Sequence, residues 1–276
     1  MTRVAHISDL HFGRHIPQVV EGLLDSLDDY DPDLVIISGD LTQRATSAQF
    51  RAAQGFVQAL RWPRLVIPGN HDMPAINVLE RMASPWRRWR AFFGEDLAPV
   101  RTVDGCIALG VNTARRAGLY LDWSRGRISD GQMQELQRQL SDADAECLRL
   151  VVTHHPFWLP EEYVHRHLIG RRDQAIEQLA DAGVDMVLSG HIHLDFRQIL
   201  KGVIISHAGT ATSDRLLPGE PNSFNLIEGH RNELLLTQMR WRGSAFSPTG
   251  RTLFRRDQRG WQLAKDSVAP LAVEDL

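Results

Sequence analysis

Residues 4–11, VAHISDLH, set the fold class of this chain of 276 residues. The run Val4–Ser8 is short and mostly apolar, and it passes directly into the polar residues Asp9 and His11. A short apolar run that ends at polar residues is typical of a buried strand. Similar runs recur along the chain at Leu34–Ser38, Leu65–Pro68, Ile107–Val111, Leu148–Thr153, Met186–Ser189 and Val203–Ser206.

Helical patterns lie between several of these predicted strands. They cover Val19–Leu27, Phe50–Leu60, Met133–Leu140 after a capping box of Ser129 and Gln132, and Asp173–Ala182 before Gly183. Apolar strands that alternate with helices predict an α/β fold with a largely parallel sheet buried on both faces. In such sheets, ligands bind at the loops that follow the carboxyl ends of the strands.

The composition is that of an ordinary globular protein, with 43% hydrophobic and 24% charged residues. A net charge of −3 argues against a protein that coats a nucleic-acid polymer. Cys106 and Cys147 show no pairing or metal-binding pattern, so we expect free thiols. The chain begins directly with a predicted strand, and no apolar run approaches the ~18 residues of a membrane span. We therefore expect a cytoplasmic protein.

The end of the chain differs in composition from the rest. From Arg240 onwards it is rich in arginine and is interrupted by Gly243, Pro248, Gly250 and Gly260. We therefore predict a main domain over residues 1–239 and a C-terminal extension over residues 240–276. The extension would pack on the domain or at a dimer interface. Its glycines and proline argue against a membrane-bound helix.

Five motifs with metal-binding side chains follow predicted strands. They are Ser8-Asp9-Leu10-His11, Ser38-Gly39-Asp40, Gly69-Asn70-His71-Asp72, Thr153-His154-His155-Pro156 and Ser189-Gly190-His191-Ile192-His193. Each motif alone is weak, because a pair such as Asp-x-His occurs by chance in many chains. Their joint occurrence, each at a strand end, predicts a shared metal site.

The side chains in these motifs restrict the metal. Carboxylate, imidazole and amide groups without a thiolate suit Fe, Mn, Zn or Co rather than a structural cysteine site. Seven predicted ligands exceed what one tetrahedral ion can use, so we expect two divalent or trivalent ions. Asp40 lies centrally in the order of the motifs and is the natural bridge.

Such a pair of ions would bind a shared water, lower its pKa and neutralise charge on a phosphoryl group. This chemistry predicts hydrolysis of a phosphate ester by a metal-bound hydroxide. His71 follows the predicted ligand Asn70, so it could contact a phosphate oxygen or protonate the leaving alkoxide. Asp72 could fix the tautomer of His71. We therefore predict His71 and Asp72 as catalytic residues.

The five motifs together resemble the calcineurin-like metallophosphoesterase superfamily, over about residues 4–210. The resemblance implies a four-layer α/β/β/α sandwich of two mixed sheets flanked by helices, with residues 1–239 as the catalytic domain. It also implies that Asp9, His11, Asp40 and His193 hold one ion. Asp40, Asn70, His154 and His191 would hold the second, with His71 as the histidine that contacts the phosphate.

Within the superfamily, the chain is most similar to bacterial class III cyclic nucleotide phosphodiesterases, in part through the segment Ala208–Thr212. The resemblance implies hydrolysis of a small phosphodiester such as 3′,5′-cAMP, and a homodimer. One alternative is a UDP-diacylglucosamine pyrophosphatase, although those enzymes carry arginine where this chain has His71. A nucleotidase or phosphomonoesterase is another. A third is a catalytically silent, metal-stabilised binding module, against which the intact motifs argue.

The sequence leaves the roles of several other residues open. His155 follows a predicted ligand, and His165 and His167 lie in a loop that could contact substrate. His207 could approach the metals from behind. The segment of residues 81–101 mixes arginines with tryptophans and phenylalanines. It forms either a substrate cap or an amphipathic helix with its aromatic side chains on the core, and the pattern favours the helix.

Overall fold

Residues 1–75, 77–116, 125–166 and 168–264, described by a computed structural model, form two β-sheets with helices on their outer faces. The helices are α1 (Pro17–Tyr30), α2 (Ser47–Ala59), α3 (Val78–Ala83), α4 (Arg87–Phe93), α5 (Asp130–Ser141) and α6 (Arg172–Asp181). The strands are β1 (Thr2–Ile7), β2 (Leu34–Ile37), β3 (Arg64–Val66), β4 (Val100–Val103), β5 (Cys106–Gly110), β6 (Leu148–Val152), β7 (Met186–Ser189), β8 (Phe196–Leu200), β9 (Val203–His207), β10 (Ser223–His230), β11 (Glu233–Trp241), β12 (Phe246–Asp257) and β13 (Gly260–Leu263). Short 3-10 turns cover Asn70–Asp72 and Glu161–Arg166.

Both sheets are mixed. The first has the strand order β13-β12-β11-β10-β1-β2-β3, and the second has the order β4-β5-β6-β7-β9-β8. The predicted parallel pairing is present in β1-β2-β3 and in β5-β6-β7-β9. The prediction of a largely parallel sheet is wrong for β10 to β13, which pair antiparallel. Those strands are joined by short turns rather than helices, and such connections favour hairpins.

Alternate residues of the central strands pack in two different layers. In β2, Leu34 and Ile36 belong to the core between the two sheets, whereas Val35 and Ile37 belong to the core under α1 and α2. A third core joins the outer face of the second sheet to α5 and α6. Two sheets thus pack face to face with helices outside each, and the predicted four-layer sandwich is confirmed.

The helix ends follow the sequence signals. Thr46 caps α2 by accepting a hydrogen bond from the backbone N–H of Gln49 (3.3 Å). The predicted capping box of Ser129 and Gln132 opens α5. Gly183, with φ of 72°, follows the end of α6 in the left-handed conformation that favours glycine. Among the described residues, no helix is both long and apolar enough to cross a membrane.

The segment of residues 81–101 places its aromatic side chains on the core. Trp89 of α4 is buried, and Phe92 and Phe93 pack against the same cluster beside Phe50. Arg88 forms an ion pair with Glu80 of α3 (2.6 Å). These contacts match the amphipathic-helix interpretation of the segment rather than the substrate cap.

The C-terminal strands β12 and β13 continue the first sheet beyond β11. Trp261 of β13 is buried in the core between the sheets, and its Nε1 donates to Asp185 Oδ1 (3.0 Å) next to β7. Residues 246–263 therefore contribute to the core. The boundary after residue 239 stays a prediction, and the part of the predicted extension from residue 265 onwards lies outside the described residues.

We predict that Trp261→Ala lowers the free energy of unfolding by about 3–5 kcal/mol, because it opens a cavity and removes a hydrogen bond from buried Asp185. The melting temperature should fall by about 10 °C. Leu263→Ala is the matched control, because Leu263 lies on the same strand with 57% of its surface exposed. Equal melting temperatures of the two variants would contradict an integral role of β13.

Candidate metal centre

The predicted ligands follow the carboxyl ends of five strands. Those after β1, β2 and β3 come from parallel neighbours in the first sheet, and those after β6 and β7 come from parallel neighbours in the second. The two sheets face each other, so these loops meet at one end of the sandwich. The residues at these ends are Asp9 and His11, Asp40, Asn70, His154, and finally His191 and His193.

Asp9, His11 and His193 form one cluster of buried side chains. The Nε2 atoms of the two histidines lie 3.0 Å apart. Asp9 Oδ1 lies 3.6 Å from the Nε2 of His11 and 3.3 Å from that of His193. Three electron-pair donors therefore point at one small volume, as they do around a cation.

A second cluster forms around His154. Its Nε2 lies 3.1 Å from Asn70 Oδ1 and 3.3 Å from Asp40 Oδ2. The ring of His191 lies against that of His154, with 5.1 Å between the centroids. The same Asp40 Oδ2 lies 3.8 Å from His11 Nε2 in the first cluster. One carboxylate oxygen is therefore shared by the two clusters.

Hydrogen bonds from the backbone orient both carboxylates. Asp9 Oδ2 accepts from the backbone N–H of His191 (2.9 Å) and from Ser8 Oγ (2.7 Å), which leaves Oδ1 turned towards the histidines. Asp40 Oδ1 accepts from the backbone N–H of His71 (2.8 Å), which leaves Oδ2 turned the same way. Asp9 Oδ1 is buried and has no hydrogen-bond partner among the described residues. A cation would satisfy this oxygen.

Two of the imidazoles are oriented through their Nδ1 atoms. The Nδ1 of His154 lies 2.8 Å from the carbonyl oxygen of Ser38, and that of His193 lies 2.7 Å from the carbonyl oxygen of Arg215. Each carbonyl accepts the Nδ1 proton, so the neutral form of each ring has its free electron pair on Nε2. Such an outer contact fixes the tautomer of a metal-binding histidine.

Electrostatic interactions stabilise the ionised carboxylates. Burial is the largest single influence and raises the pKa of Asp9, but the combined attraction of the neighbouring histidines, above all His193, holds that pKa well below its usual range. The combined attraction of several histidines, above all His154, likewise outweighs burial and holds the pKa of Asp40 well below its usual range. Burial lowers the pKa of His154, yet Asp40 raises it to about 9, whereas burial and His154 lower the pKa of His191 to about 3. The centre thus holds two carboxylates that attract positive charge.

The backbone is strained at this centre. Nine described residues other than glycine have a positive φ, and five of them are predicted ligands: Asp9, His11, Asp40, His191 and His193. Each such conformation costs about 1–3 kcal/mol, and the surrounding structure must compensate for it. Because strained residues cluster at functional sites, their concentration where the ligand-bearing loops meet indicates a functional site there.

Gly190 allows the backbone of the β7 loop to approach β1 closely. A Cβ at this position would lie 1.9 Å from Ser8 Oγ and 2.3 Å from Asp9 Oδ2. We predict that Gly190→Ala displaces Asp9, lowers hydrolytic activity about 10²-fold and weakens metal binding.

The control for this variant is Gly55→Ala. Gly55 lies inside α2 with open space at its Cβ position, so alanine there should stabilise the protein by about 0.5–1 kcal/mol. Activity assays, metal titration and thermal melts would compare the two variants. If Gly190→Ala bound metal as tightly as Gly55→Ala, the close approach would be unimportant.

The proposed contact between Asp72 and His71 is wrong. Asp72 Oδ1 accepts from the backbone N–H (2.8 Å) and Oγ1 (2.9 Å) of Thr42, and its Oδ2 accepts from the backbone N–H of Gly69 (2.9 Å). The Nδ1 of His71 lies 2.8 Å from the carbonyl oxygen of Gln43 instead. Gln43 therefore holds the His71 ring, and Asp72 holds the loops that carry Asp40 and Asn70.

Arg215 is a site residue that the sequence did not single out. Its Nη1 lies 3.2 Å from the Nε2 of His11 and 3.2 Å from the Nε2 of His71. It lies in the loop between β9 and β10, three residues beyond Thr212. The sequence pattern in that loop covers only Ala208–Thr212, and an isolated arginine beyond it belongs to no motif.

The other histidines of interest occupy varied positions. His155 Nδ1 lies 2.7 Å from Thr113 Oγ1, and its side chain forms a further candidate metal-binding group with those of His154 and His191. His165 is exposed in a 3-10 turn. His167 lies outside the described residues.

His207 is buried behind the centre. Its Nε2 lies 2.9 Å from Ser189 Oγ, and its ring stacks on Phe196 with 4.0 Å between the centroids. Its Nδ1 lies 3.3 Å from the carbonyl oxygen of Gly190. Both ring nitrogens thus contact the strand and loop that precede His191. His207 supports the β7 loop from behind.

Comparison with known proteins identifies the family of this chain. Residues 2–195 match the Calcineurin-like phosphoesterase family, and the chain belongs to that family. It is therefore a metal-dependent hydrolase of phosphoric esters. The family uses a binuclear metal centre, and the Asp and His clusters described above are the candidate groups for it.

Two bacterial relatives cover most of the chain. It is 29% identical over 209 residues to a probable cyclic nucleotide phosphodiesterase of Synechococcus sp., covering 71% of this chain and 74% of that protein. It is 27% identical over 220 residues to the 3′,5′-cyclic adenosine monophosphate phosphodiesterase CpdA of Escherichia coli, covering 75% and 74%. The purple acid phosphatase PPD1 of yellow lupin shares the fold, with a TM-score of 0.68 at 15% identity over 94% of this chain and 54% of that one.

Proposed function

We propose that this protein hydrolyses a small phosphodiester of the 3′,5′-cyclic nucleotide type with two metal ions. Asp9, His11, Asp40 and His193 would hold one ion, and Asp40, Asn70, His154 and His191 would hold the other. The observation that carries the proposal is the position of Asp40 Oδ2, 3.8 Å from His11 Nε2 and 3.3 Å from His154 Nε2. An oxygen in that position suits a bridge between two cations.

The donor set fits such ions. It combines carboxylate, imidazole and amide donors, which suit Fe, Mn, Zn or Co. Asp9 Oδ1 has no hydrogen-bond partner among the described residues, and His11 Nε2 lies 3.0 Å from His193 Nε2. A cation between these donors would satisfy all three atoms. When bound, the two ions supply Lewis acidity that lowers the pKa of water and neutralises charge on a phosphoryl group.

His71 is placed to act on the leaving oxygen. Its Nδ1 is engaged by the carbonyl oxygen of Gln43, and its Nε2 lies 3.2 Å from Arg215 Nη1 at the edge of the centre. In that contact His71 Nε2 accepts from Arg215, so a protonated His71 would keep its contact with Gln43, give up the one with Arg215, and donate its Nε2 proton to the oxygen that leaves phosphorus. Arg215 Nη1 faces the same point, so its charge would stabilise a phosphate held there.

The substrate class within this proposal is supported by the two bacterial relatives, which are described as cyclic nucleotide phosphodiesterases. The test is substrate profiling of purified protein loaded with Mn²⁺. We expect hydrolysis of 3′,5′-cAMP and of bis(p-nitrophenyl) phosphate to exceed that of p-nitrophenyl phosphate. A protein that cleaves only the monoester would favour the nucleotidase alternative, and one that cleaves neither diester would contradict the proposal.

The cytoplasmic location and the homodimer stay predictions. Scattering from the purified protein at several concentrations would measure its mass and so test the dimer.

A further inference from the structure

A cavity of about 400 Å³ borders the metal centre on the side of His71. Two residues link it directly to the catalytic groups. The carbonyl oxygen of Gln43 holds His71 Nδ1, and Nη1 of Arg215 reaches His11 and His71. The volume lies within the roughly 300–1,000 Å³ of typical ligand sites. Its lining residues are Gly13, Arg14, Gln43, Arg44, Gln49 and Arg215.

The cavity carries uncompensated positive charge. Arg14 Nε is paired with both carboxylate oxygens of Asp214 (2.7 and 3.0 Å). Within the described part of the chain, neither Arg44 nor Arg215 has a carboxylate partner, and Nη1 of Arg215 contacts imidazole nitrogens. The backbone N–H of Arg44 donates to Gln49 Oε1 (2.8 Å), which positions that residue at the cavity wall. The cavity therefore holds two guanidinium groups, those of Arg44 and Arg215, that no carboxylate of the described residues neutralises.

We propose that this cavity is a subsite for a second phosphate group of the substrate, separate from the diester that is hydrolysed. The inference rests on the proposed function and adds a substrate class: a phosphodiester that also carries a terminal phosphomonoester. These two guanidinium groups match the charge of a phosphate dianion and present the forked donors that bind its oxygens. Arg215 lies between the two phosphates, and Arg44 contacts only the second.

The test uses two chromogenic diesters that differ by one phosphate. They are the p-nitrophenyl ester of thymidine 5′-phosphate and the same ester with a further phosphate on the 3′-oxygen. In both compounds, hydrolysis of the diester at the 5′ position releases p-nitrophenolate. For Mn²⁺-loaded protein, we expect kcat/KM to be about tenfold higher for the ester with the 3′-phosphate, because the second phosphate gains charge-assisted hydrogen bonds.

Arg44→Gln should reduce the ratio of the two kcat/KM values to about one. The matched control is Arg51→Gln, which removes an equal charge from an exposed position on α2 and should keep the wild-type ratio. Calorimetry with thymidine 3′,5′-bisphosphate and thymidine 5′-phosphate gives a readout that does not need turnover. In the wild-type protein, we expect the bisphosphate to bind about tenfold more tightly than thymidine 5′-phosphate. Arg44→Gln should lose this difference, whereas Arg51→Gln should keep it.

The outcomes separate this inference from the proposed function. If both esters are hydrolysed but their ratio is one, or if Arg44→Gln and Arg51→Gln share the wild-type ratio, the subsite is refuted while the phosphodiesterase function stands. If neither ester is hydrolysed but the bisphosphate still binds through Arg44, the subsite stands and the proposed reaction fails.

Discussion

Replacement of Asp40 by alanine should lower kcat of the Mn²⁺-loaded protein about 10³-fold or more. Asp40 is 1% exposed, and its Oδ2 is the oxygen shared by the clusters of His11 and His154. Its removal should weaken both metal sites at once. Loss of about 4 kcal/mol of transition-state stabilisation corresponds to that factor in rate.

Three measurements apply to Asp40→Ala: the rate with bis(p-nitrophenyl) phosphate, the metal content per chain, and the melting temperature. Metal content should fall below two ions per chain, whereas a folded control should retain two. Asp25→Ala provides that control, because it removes the same charge from an exposed position on α1. Unchanged hydrolysis in Asp40→Ala would refute the binuclear centre.

His71→Ala should lower kcat about 10²-fold or more and leave the metal content unchanged. Its Nδ1 is occupied by the carbonyl oxygen of Gln43, and its Nε2 faces Arg215 rather than a carboxylate of the centre. The variant therefore loses proton donation to the leaving oxygen but keeps every predicted ligand. General acid catalysis contributes typically 10²–10⁴-fold, which sets the expected loss.

A substrate whose leaving group needs no proton provides a sharper test of this role of His71. Loss of activity in His71→Ala should be smaller with bis(p-nitrophenyl) phosphate, which releases a stable anion, than with 3′,5′-cAMP, which releases an alkoxide. His230→Ala, at an exposed position at the end of β10, should match wild type with both substrates. Equal losses with the two substrates, or loss of metal, would assign His71 a role other than proton donor.

The sequence predicted much of this centre because parallel strands impose a simple rule. Parallel neighbouring strands end at the same side of their sheet, so Asp9 after β1 and Asp40 after β2 could be expected to lie close together without knowledge of any distance. The ligand chemistry needed only the residue types. The partly exposed strands β12 and β13 gave no such signal, so their antiparallel pairing was not predicted.

Roles that depend on one particular contact were not predictable. Asp72 and His71 are neighbours in the chain, yet the 3-10 turn of residues 70–72 directs their side chains to different partners. His71 meets a carbonyl 28 residues away, and Asp72 meets Thr42, 30 residues away. Adjacent positions in a tight turn point in different directions, so proximity in sequence misled the assignment.

By itself, the sequence determined that apolar strands of an α/β fold end at carboxylates and imidazoles. It could do so because strand periodicity and ligand type are local properties of the chain. Only the tertiary structure decided that Asp40 Oδ2 lies between the two clusters and that Gln43 holds His71. It also brought Arg215 and Arg44 to one cavity. These facts depend on long-range packing of loops, which fixes atomic distances that no local pattern encodes.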